Sequence, residues 1–297
     1  MKKTAFIAIV GRPNVGKSTL LNKILGEKVA IVSKRPQTTR NRITGIHTVD
    51  ENQFVFLDTP GMHRPRTKLG DYMVSAANHA MKEADAVILV VEPREEVGDI
   101  EAAILSRLKE QKMPAILVVN KIDAAGAEKT AKTIKEYAKE YDFDAVVPTV
   151  AKSGKNVDEL LRECERYLTE SDWFFSDEIV TDQPERQVAA EIIREKMLRL
   201  LSDEIPHGTA VVIESFQETP RILKIRAEIF CERDAHKRII LGKQGSMLKT
   251  IGTYAREDLE SFFGIKVFLD LWIKVKENWR DSAVQLANFG YNKKDIE

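Results

Sequence analysis

The sequence predicts an α/β protein, a doubly wound and largely parallel sheet in the first half followed by a small α+β unit. Three observations carry this. Short, almost continuously apolar runs such as Val87-Ile88-Leu89-Val90-Val91 alternate with helical patterns, as strands covered on both faces do. A glycine-rich stretch, Gly11-Arg12-Pro13-Asn14-Val15-Gly16-Lys17-Ser18, joins the first strand to the first helix in the phosphate-binding pattern G-x-x-x-x-G-K-[ST]. After Leu168 the alternation stops, and the order becomes helix, two strands, two helices and a strand.

Taken in order, the predicted strands of the first half are Ala5–Val10, Ile43–Val49, Phe54–Asp58, Ala86–Val91, Ala115–Asn120 and Ala145–Thr149. Helical spacing of apolar residues marks Ser18–Leu25, Leu69–Glu83, Ile100–Glu110, Ala127–Glu140 and Val157–Leu168. The polar stretches Ser33–Arg42 and Thr59–Lys68 read as loops at the carboxyl edge of the sheet, where such folds hold their ligands. Residues 1–170 form the expected first domain. Residues 171–184 mix helix breakers with Trp173, Phe174 and Phe175, and read as a linker whose aromatics bury against a domain. In the second half, helices over Glu185–Leu201, Asp234–Leu241 and Ser246–Phe263 accompany strands over Ala210–Phe216, Ile222–Phe230 and Lys266–Val275. This gives a second domain over 185–280 and a C-terminal tail over 281–297.

Composition narrows the class. At 297 residues there is room for two cores, and 43% hydrophobic with 31% charged residues is a globular balance. Lys and Arg number 46 against 46 Asp and Glu, so any nucleic-acid surface must be local. Cys164 and Cys231 fall in different predicted domains, which favours reduced thiols and a cytoplasmic setting, with neither disulfide nor structural metal. No apolar run approaches a membrane span, and Met1-Lys2-Lys3 leads straight into the first strand. The histidines His47, His63, His79, His207 and His236 are scattered and suggest no catalytic set.

The chemistry concentrates at strand ends. Gly11 and Gly16 let the backbone turn so that the amides around Asn14, Val15, Gly16, Lys17, Ser18 and Thr19 point at phosphate, aided by the following helix dipole. Lys17 reaches the β- and γ-phosphates, and the Ser18 hydroxyl suits Mg²⁺. Asp58-Thr59-Pro60-Gly61 follows a strand, placing Asp58 for Mg²⁺ and the Gly61 amide for the γ-phosphate. Thr38-Thr39-Arg40 offers a second hydroxyl, Thr39, to the same metal. Asn120-Lys121-Ile122-Asp123 also follows a strand. The Asp123 carboxylate accepts from guanine N1–H and its exocyclic amine, a pattern adenine lacks.

In order, GRPNVGKS, the TTR loop, DTPG, NKID and Thr149-Val150-Ala151-Lys152 resemble the translation-factor-like GTPases. The resemblance implies GTP and GDP as ligands, guanine recognition by Asn120, Lys121, Asp123 and the Ala151 amide, and a switch built from Thr38, Thr39, Arg40, Pro60, Gly61 and Met62. It departs at Val150, where serine is usual. It departs also at Met62, where an apolar side chain replaces the glutamine that orients water in Ras-like proteins, so unaided hydrolysis should be slow. In related GTPases an asparagine at the position of Asn14 helps hold K⁺, which makes K⁺ a further expected cofactor.

The second half, with Gly242-Lys243-Gln244-Gly245 between two helices, resembles the type II K-homology RNA-binding fold. Lys237, Arg238, Lys243 and Lys249 cluster about that turn with Gln244, and a small-residue turn lets an RNA backbone approach. Bases are then expected along Ile239, Ile240, Met247, Leu248 and Ile251. The pairing of the two halves, with LGKQG, LKTIG and LWIKVKENWR, resembles the Era family of bacterial GTPases. That resemblance implies binding near the 3′ end of 16S ribosomal RNA, a role in small-subunit assembly, and peripheral contact with the inner membrane surface, for which the residues carry no signal of their own. Two other readings stay open here: a GTPase whose second domain meets only protein or membrane, and a tRNA-modifying GTPase. The latter would need a catalytic domain, and no nucleophile–base pair follows Glu185.

Overall fold

The computed structural model describes residues 1–202 and 204–292. The chain divides after Asp182 into two compact units.

The first unit is built on strands β1 (Lys3–Val10), β2 (Ile43–Val49), β3 (Asn52–Asp58), β4 (Ala86–Val91), β5 (Ala115–Asn120), β6 (Ala145–Thr149) and the short β7 (Thr169–Glu170). Their order is β2-β3-β1-β4-β5-β6, with β7 paired to β1. The neighbours from β3 to β6 run parallel, whereas β2 and β7 are antiparallel to β3 and β1. The antiparallel β2 follows from the tight connection through Asp50 and Glu51, which is too short for a crossover. Helices α1 (Lys17–Leu25), α2 (Lys68–Glu83), α3 (Asp99–Gln111), α4 (Ala127–Glu140) and α5 (Val157–Cys164) cover the sheet. Alternation along β1 splits the core: Ile7 and Ile9 pack with Leu20, Leu21 and Leu160, while Ala8 and Val10 pack with Ala77, Leu105 and Tyr137. Both faces of the sheet are therefore dry, as its strands require.

The linker packs along this sheet, and its aromatics bury only in part: Phe175 packs against the core and Trp173 is half-buried, while Phe174 is exposed. The fully buried Gln53 side chain accepts from the amides of Phe174 and Phe175 at 3.0 and 3.1 Å, and donates to the Phe175 carbonyl. Val180 accepts from the Ile46 amide, and the Thr181 hydroxyl donates to the Thr44 carbonyl. Phe174 itself stays 61% exposed, edge-on to Phe6. Backbone capture by Gln53 holds this segment together with partial apolar burial, since Phe175 and Val180 pack against the two cores.

The second unit carries α6 (Glu185–Leu200), β8 (Ala210–Glu218), β9 (Ile222–Cys231), α7 (Asp234–Leu241), α8 (Ser246–Phe263), β10 (Lys266–Val275) and α9 (Ala283–Asn288). Its sheet runs β10-β9-β8, parallel between β10 and β9 and antiparallel between β9 and β8. The inward residues Ile225, Ala227 and Ile229 of β9 meet Ile193 and Met197 of α6 and Ile251 and Leu259 of α8. The segment expected as a tail, 281–297, is instead packed over its described part: the Phe289 and Tyr291 rings contact Trp279 of the second domain, which is fully buried and donates from Nε1 to the Gly208 carbonyl at 2.9 Å. Residues 293–297 of that tail lie outside the described residues. Trp279→Ala should cost about 3–5 kcal/mol, as large-to-small changes of buried aromatics do, and lower the unfolding midpoint measured by chemical denaturation.

Candidate GTP site and nucleic-acid interface

The phosphate loop curls because its glycines adopt angles that side chains resist. Gly11 has φ 148° and Gly16 φ 104°. A Cβ on Gly16 would meet Asn120 Nδ2 at 2.3 Å, and one on Gly11 the Val90 carbonyl oxygen at 2.3 Å. The loop is therefore pinned to the ends of β4 and β5. Asn120, almost fully buried, ties three segments: Nδ2 donates to the Val15 carbonyl at 2.8 Å, and Oδ1 accepts from the Ala151 amide at 2.9 Å and the Thr149 hydroxyl at 3.2 Å. The Ala151 amide, expected against guanine, here has Asn120 as its partner.

Lys17 folds back into the loop, and its ammonium donates to the Gly11 and Arg12 carbonyls at 3.1 Å each. Opposite it lies Asp58 at the end of β3, fully buried. The Ser18 hydroxyl donates to Asp58 Oδ2 at 2.6 Å and stands 2.8 Å from the Thr39 hydroxyl. Asp58 Oδ1 is buried without a hydrogen-bond partner. Two hydroxyls and one carboxylate with an oxygen to spare form an all-oxygen donor set, which fits Mg²⁺. Burial pushes the Asp58 carboxyl up to about 6, against the opposing pull of Lys17 and the Ser18 and Thr39 hydroxyls. Burial likewise lowers the Lys17 ammonium to about 8, with Asp58 opposing. Both shifts mark charges short of compensation, which a phosphate on Lys17 and a cation on Asp58 would supply.

The residues expected to form a switch separate. Thr39 reaches the site, whereas the Thr38 hydroxyl donates to the Arg35 carbonyl at 2.7 Å and Arg40 is buried. Pro60 and Gly61 are buried, and a Cβ on Gly61 would lie 2.6 Å from Pro13 Cα. Met62 is a core residue, packed with Val10, Leu57 and Ala77 while its amide donates to the Gly11 carbonyl at 3.0 Å. Its apolar character thus serves the fold. Asn14, at φ 65°, donates from Nδ2 to the Lys34 carbonyl at 2.8 Å, so the phosphate loop and first switch segment meet at the residue expected to hold K⁺. Asp123 is exposed and lines an open pocket of about 750 Å³ with Ile134, Val150 and Lys152.

In the second unit Gly242 and Gly245 have φ 71° and 79°, with Gln244 between them also left-handed at 54°. Lys243, Gln244, Arg238 and Lys249 are exposed around this turn, and Lys237 is half-buried. The expected apolar groove needs correction. Ile240 and Ile251 are fully buried in the core, because each lies on the face of its helix turned to the sheet. Ile239 is 48% exposed, and Met247 and Leu248 are half-buried, so these remain open to a base. Residues that sequence reasoning passed over are Arg12, Glu92 and Glu101, whose contacts join distant segments and carry no pattern.

This arrangement defines a P-loop GTPase joined to a K-homology unit. Residues 6–121 match the family described as 50S ribosome-binding GTPase, and residues 204–280 match the KH domain. GTPase Era of Clostridium kluyveri is 50% identical over 292 residues, covering 98% of this chain and all of that one. GTPase Era of Clostridioides difficile is 50% identical over 297 residues, covering 99% and 100%. The crystal structure of Era with MgGDPNP and nucleotides 1506–1542 of 16S ribosomal RNA superposes with TM-score 0.94 at 40% identity, covering 98% of this chain and 100% of that one. A point variant of Aquifex aeolicus Era bound to GDP·AlF4⁻ gives the same TM-score of 0.94 at 39% identity, covering 98% and 99%. The chain belongs to the Era family of GTPases.

The raised Asp58 carboxyl has a consequence for stability. Between about pH 4 and 6 the unfolded carboxyl ionises while the folded one largely keeps its proton, so folding loses stability as pH rises, by roughly 3 kcal/mol in all, and the loss tails off above about pH 6 as the folded carboxyl ionises in turn. In nucleotide- and metal-free protein, the stability of wild type relative to Asp58→Asn should fall as pH rises across this window. Denaturant unfolding over that range checks the sign.

Proposed function

We propose that this chain is a cytoplasmic, GTP-hydrolysing switch that binds the 3′ region of 16S ribosomal RNA and acts in assembly of the small ribosomal subunit. The observation that carries the RNA part is the Gly242–Gly245 turn between α7 and α8, ringed by exposed basic residues. Support comes from the relative crystallised with MgGDPNP and nucleotides 1506–1542. In this reading residues 185–280 take the RNA. The left-handed turn brings the α8 N-terminus and Lys243 to phosphate, and Lys237, Arg238, Gln244 and Lys249 flank the strand.

In the first unit, residues 1–170, the amides from Asn14 to Thr19 and the Lys17 ammonium would hold the phosphates. Ser18, Thr39 and Asp58 would hold Mg²⁺, and Asn120, Lys121, Asp123 and Ala151 would frame guanine. The metal, when bound, neutralises charge that builds on the phosphates during transfer. The chain's own part is positioning: Lys17 faces the same charge, while buried Met62 leaves water to be oriented by backbone or partner. Peripheral membrane contact is the finer part of the localisation. Among the described residues no helix is long and apolar enough to cross a membrane, and no surface among them argues for such contact.

The structure selects the cleaner test. A Cβ on Gly242 would lie 2.7 Å from the Met247 amide nitrogen, whereas one on Gly245 meets nothing within 4 Å. Aspartate also tolerates left-handed φ better than most residues. Gly245→Asp should therefore fold, with some loss of stability from its left-handed φ, yet lose binding to RNA of nucleotides 1506–1542 in a fluorescence anisotropy titration. Lys243→Ala should weaken binding less and reduce the salt slope by about one contact. Undiminished binding by folded Gly245→Asp would refute the assignment of this turn. Absence of salt-dependent RNA binding in the wild type would favour a protein partner for the second unit.

A further inference from the structure

Glu92, just beyond the end of β4, joins the two loops that would hold opposite ends of the nucleotide. Its Oε2 accepts from Arg12 Nη2 of the phosphate loop at 2.7 Å. Its Oε1 accepts from Lys121 Nζ, of the loop expected around guanine. The same Lys121 ammonium donates to the Asn14 carbonyl of the phosphate loop at 2.6 Å. Arg12 is held from its other side by the buried Glu101 of α3, 3.4 Å from Nε.

The backbone makes this clasp consequential. Lys121 and Asn14 are both non-glycine residues at left-handed angles, φ 63° and 65°. Such conformations are uncommon for residues with side chains and persist where surroundings hold them. Here one side chain spans both strained positions, and a single carboxylate grips its ammonium and the neighbouring guanidinium. A lone surface pair would contribute little. This carboxylate instead couples two loops, and removing it frees both together.

We propose that Glu92 is a positioning residue for guanine nucleotide: by holding Arg12 and Lys121 on its two oxygens, it sets the spacing between the phosphate loop and the guanine loop and so slows nucleotide release. The inference rests on the GTPase reading, and the experiment separates the two. Release of fluorescent N-methylanthraniloyl-GDP, followed by stopped flow after mixing with excess GDP, tests that reading in the wild type alone. The ratio of variant to wild type tests Glu92.

Glu92→Gln keeps the shape and one acceptor oxygen but loses the charge, and should release the probe roughly tenfold faster with an unchanged unfolding midpoint. Glu92→Asp, one methylene shorter, should fall between the two, since it can reach only one partner well. Lys121→Met will be faster still. If Glu92 acts by holding Lys121, the double variant Glu92→Gln/Lys121→Met will release no faster than Lys121→Met. A merely structural glutamate would lower the midpoint in proportion to its effect on release. Wild-type release from Glu92→Gln, or rate increases that multiply in the double variant, would overturn the proposal.

Discussion

The first unit depends on two buried charges that attract one another, the Asp58 carboxylate and the Lys17 ammonium. Neither charge reaches water, and each is pushed toward its neutral form by burial. A buried pair of this kind is poor evidence for stability, because desolvation rivals the attraction between its members. Its retention makes sense as a receptor for larger charges. The glycines of the loop, the capture of Val15 by Asn120, and the amide of Met62 on Gly11 all serve to keep Lys17 and Asp58 where a phosphate and a cation would meet them. Thr39 brings the first switch segment into the same cluster through one hydroxyl contact, so the mobile part of a GTPase touches the fixed part at the metal's donor set.

The second unit sets its charges differently, with Lys237, Arg238, Lys243 and Lys249 around one turn. Gly242 and Gly245 bend the backbone between two helices, as Gly11 and Gly16 do between a strand and a helix. The difference lies in burial. Lys17 is enclosed and its ammonium is bound by carbonyls, whereas Lys243 stands in solvent. An enclosed lysine suits one compact anion held tightly. An exposed one suits a long polyanion whose affinity comes from several weak, salt-sensitive contacts.

Much of this was legible in the sequence, for particular reasons. The central strands Ala5–Val10, Ala86–Val91 and Ala115–Asn120 emerged because burial on both faces leaves little room for polar residues. The phosphate loop, Asp58 and Asn120 were legible because each stands at a strand end, where position gives a short motif its meaning. What stayed hidden depends on pairs far apart in the chain. Nothing in Gln53 announces that it will capture the backbone of Phe174 and Phe175, and nothing in Glu92 announces Arg12 and Lys121. Ile240 and Ile251 were misread as groove residues because helical periodicity shows that a stripe is apolar, not which of its members faces the sheet. Met62 looked like a defect in the catalytic apparatus until its packing against Val10 and Leu57 gave it a core role. The C-terminal segment was taken for a tail because one six-residue helix is weakly periodic, and its anchor, Trp279, lies before it.

The Asp58 cluster, with its spare carboxylate oxygen and two hydroxyls, is suited to hold a magnesium ion with the nucleotide. Calorimetric titration of GTP in the presence of Mg²⁺ and in the presence of chelator, for wild type and Asp58→Ala, tests it most directly. Mg²⁺ should tighten wild-type binding by about tenfold or more, equivalent to at least ~1.4 kcal/mol, and leave the affinity of Asp58→Ala nearly unchanged. Equal tightening in the two proteins would contradict the account.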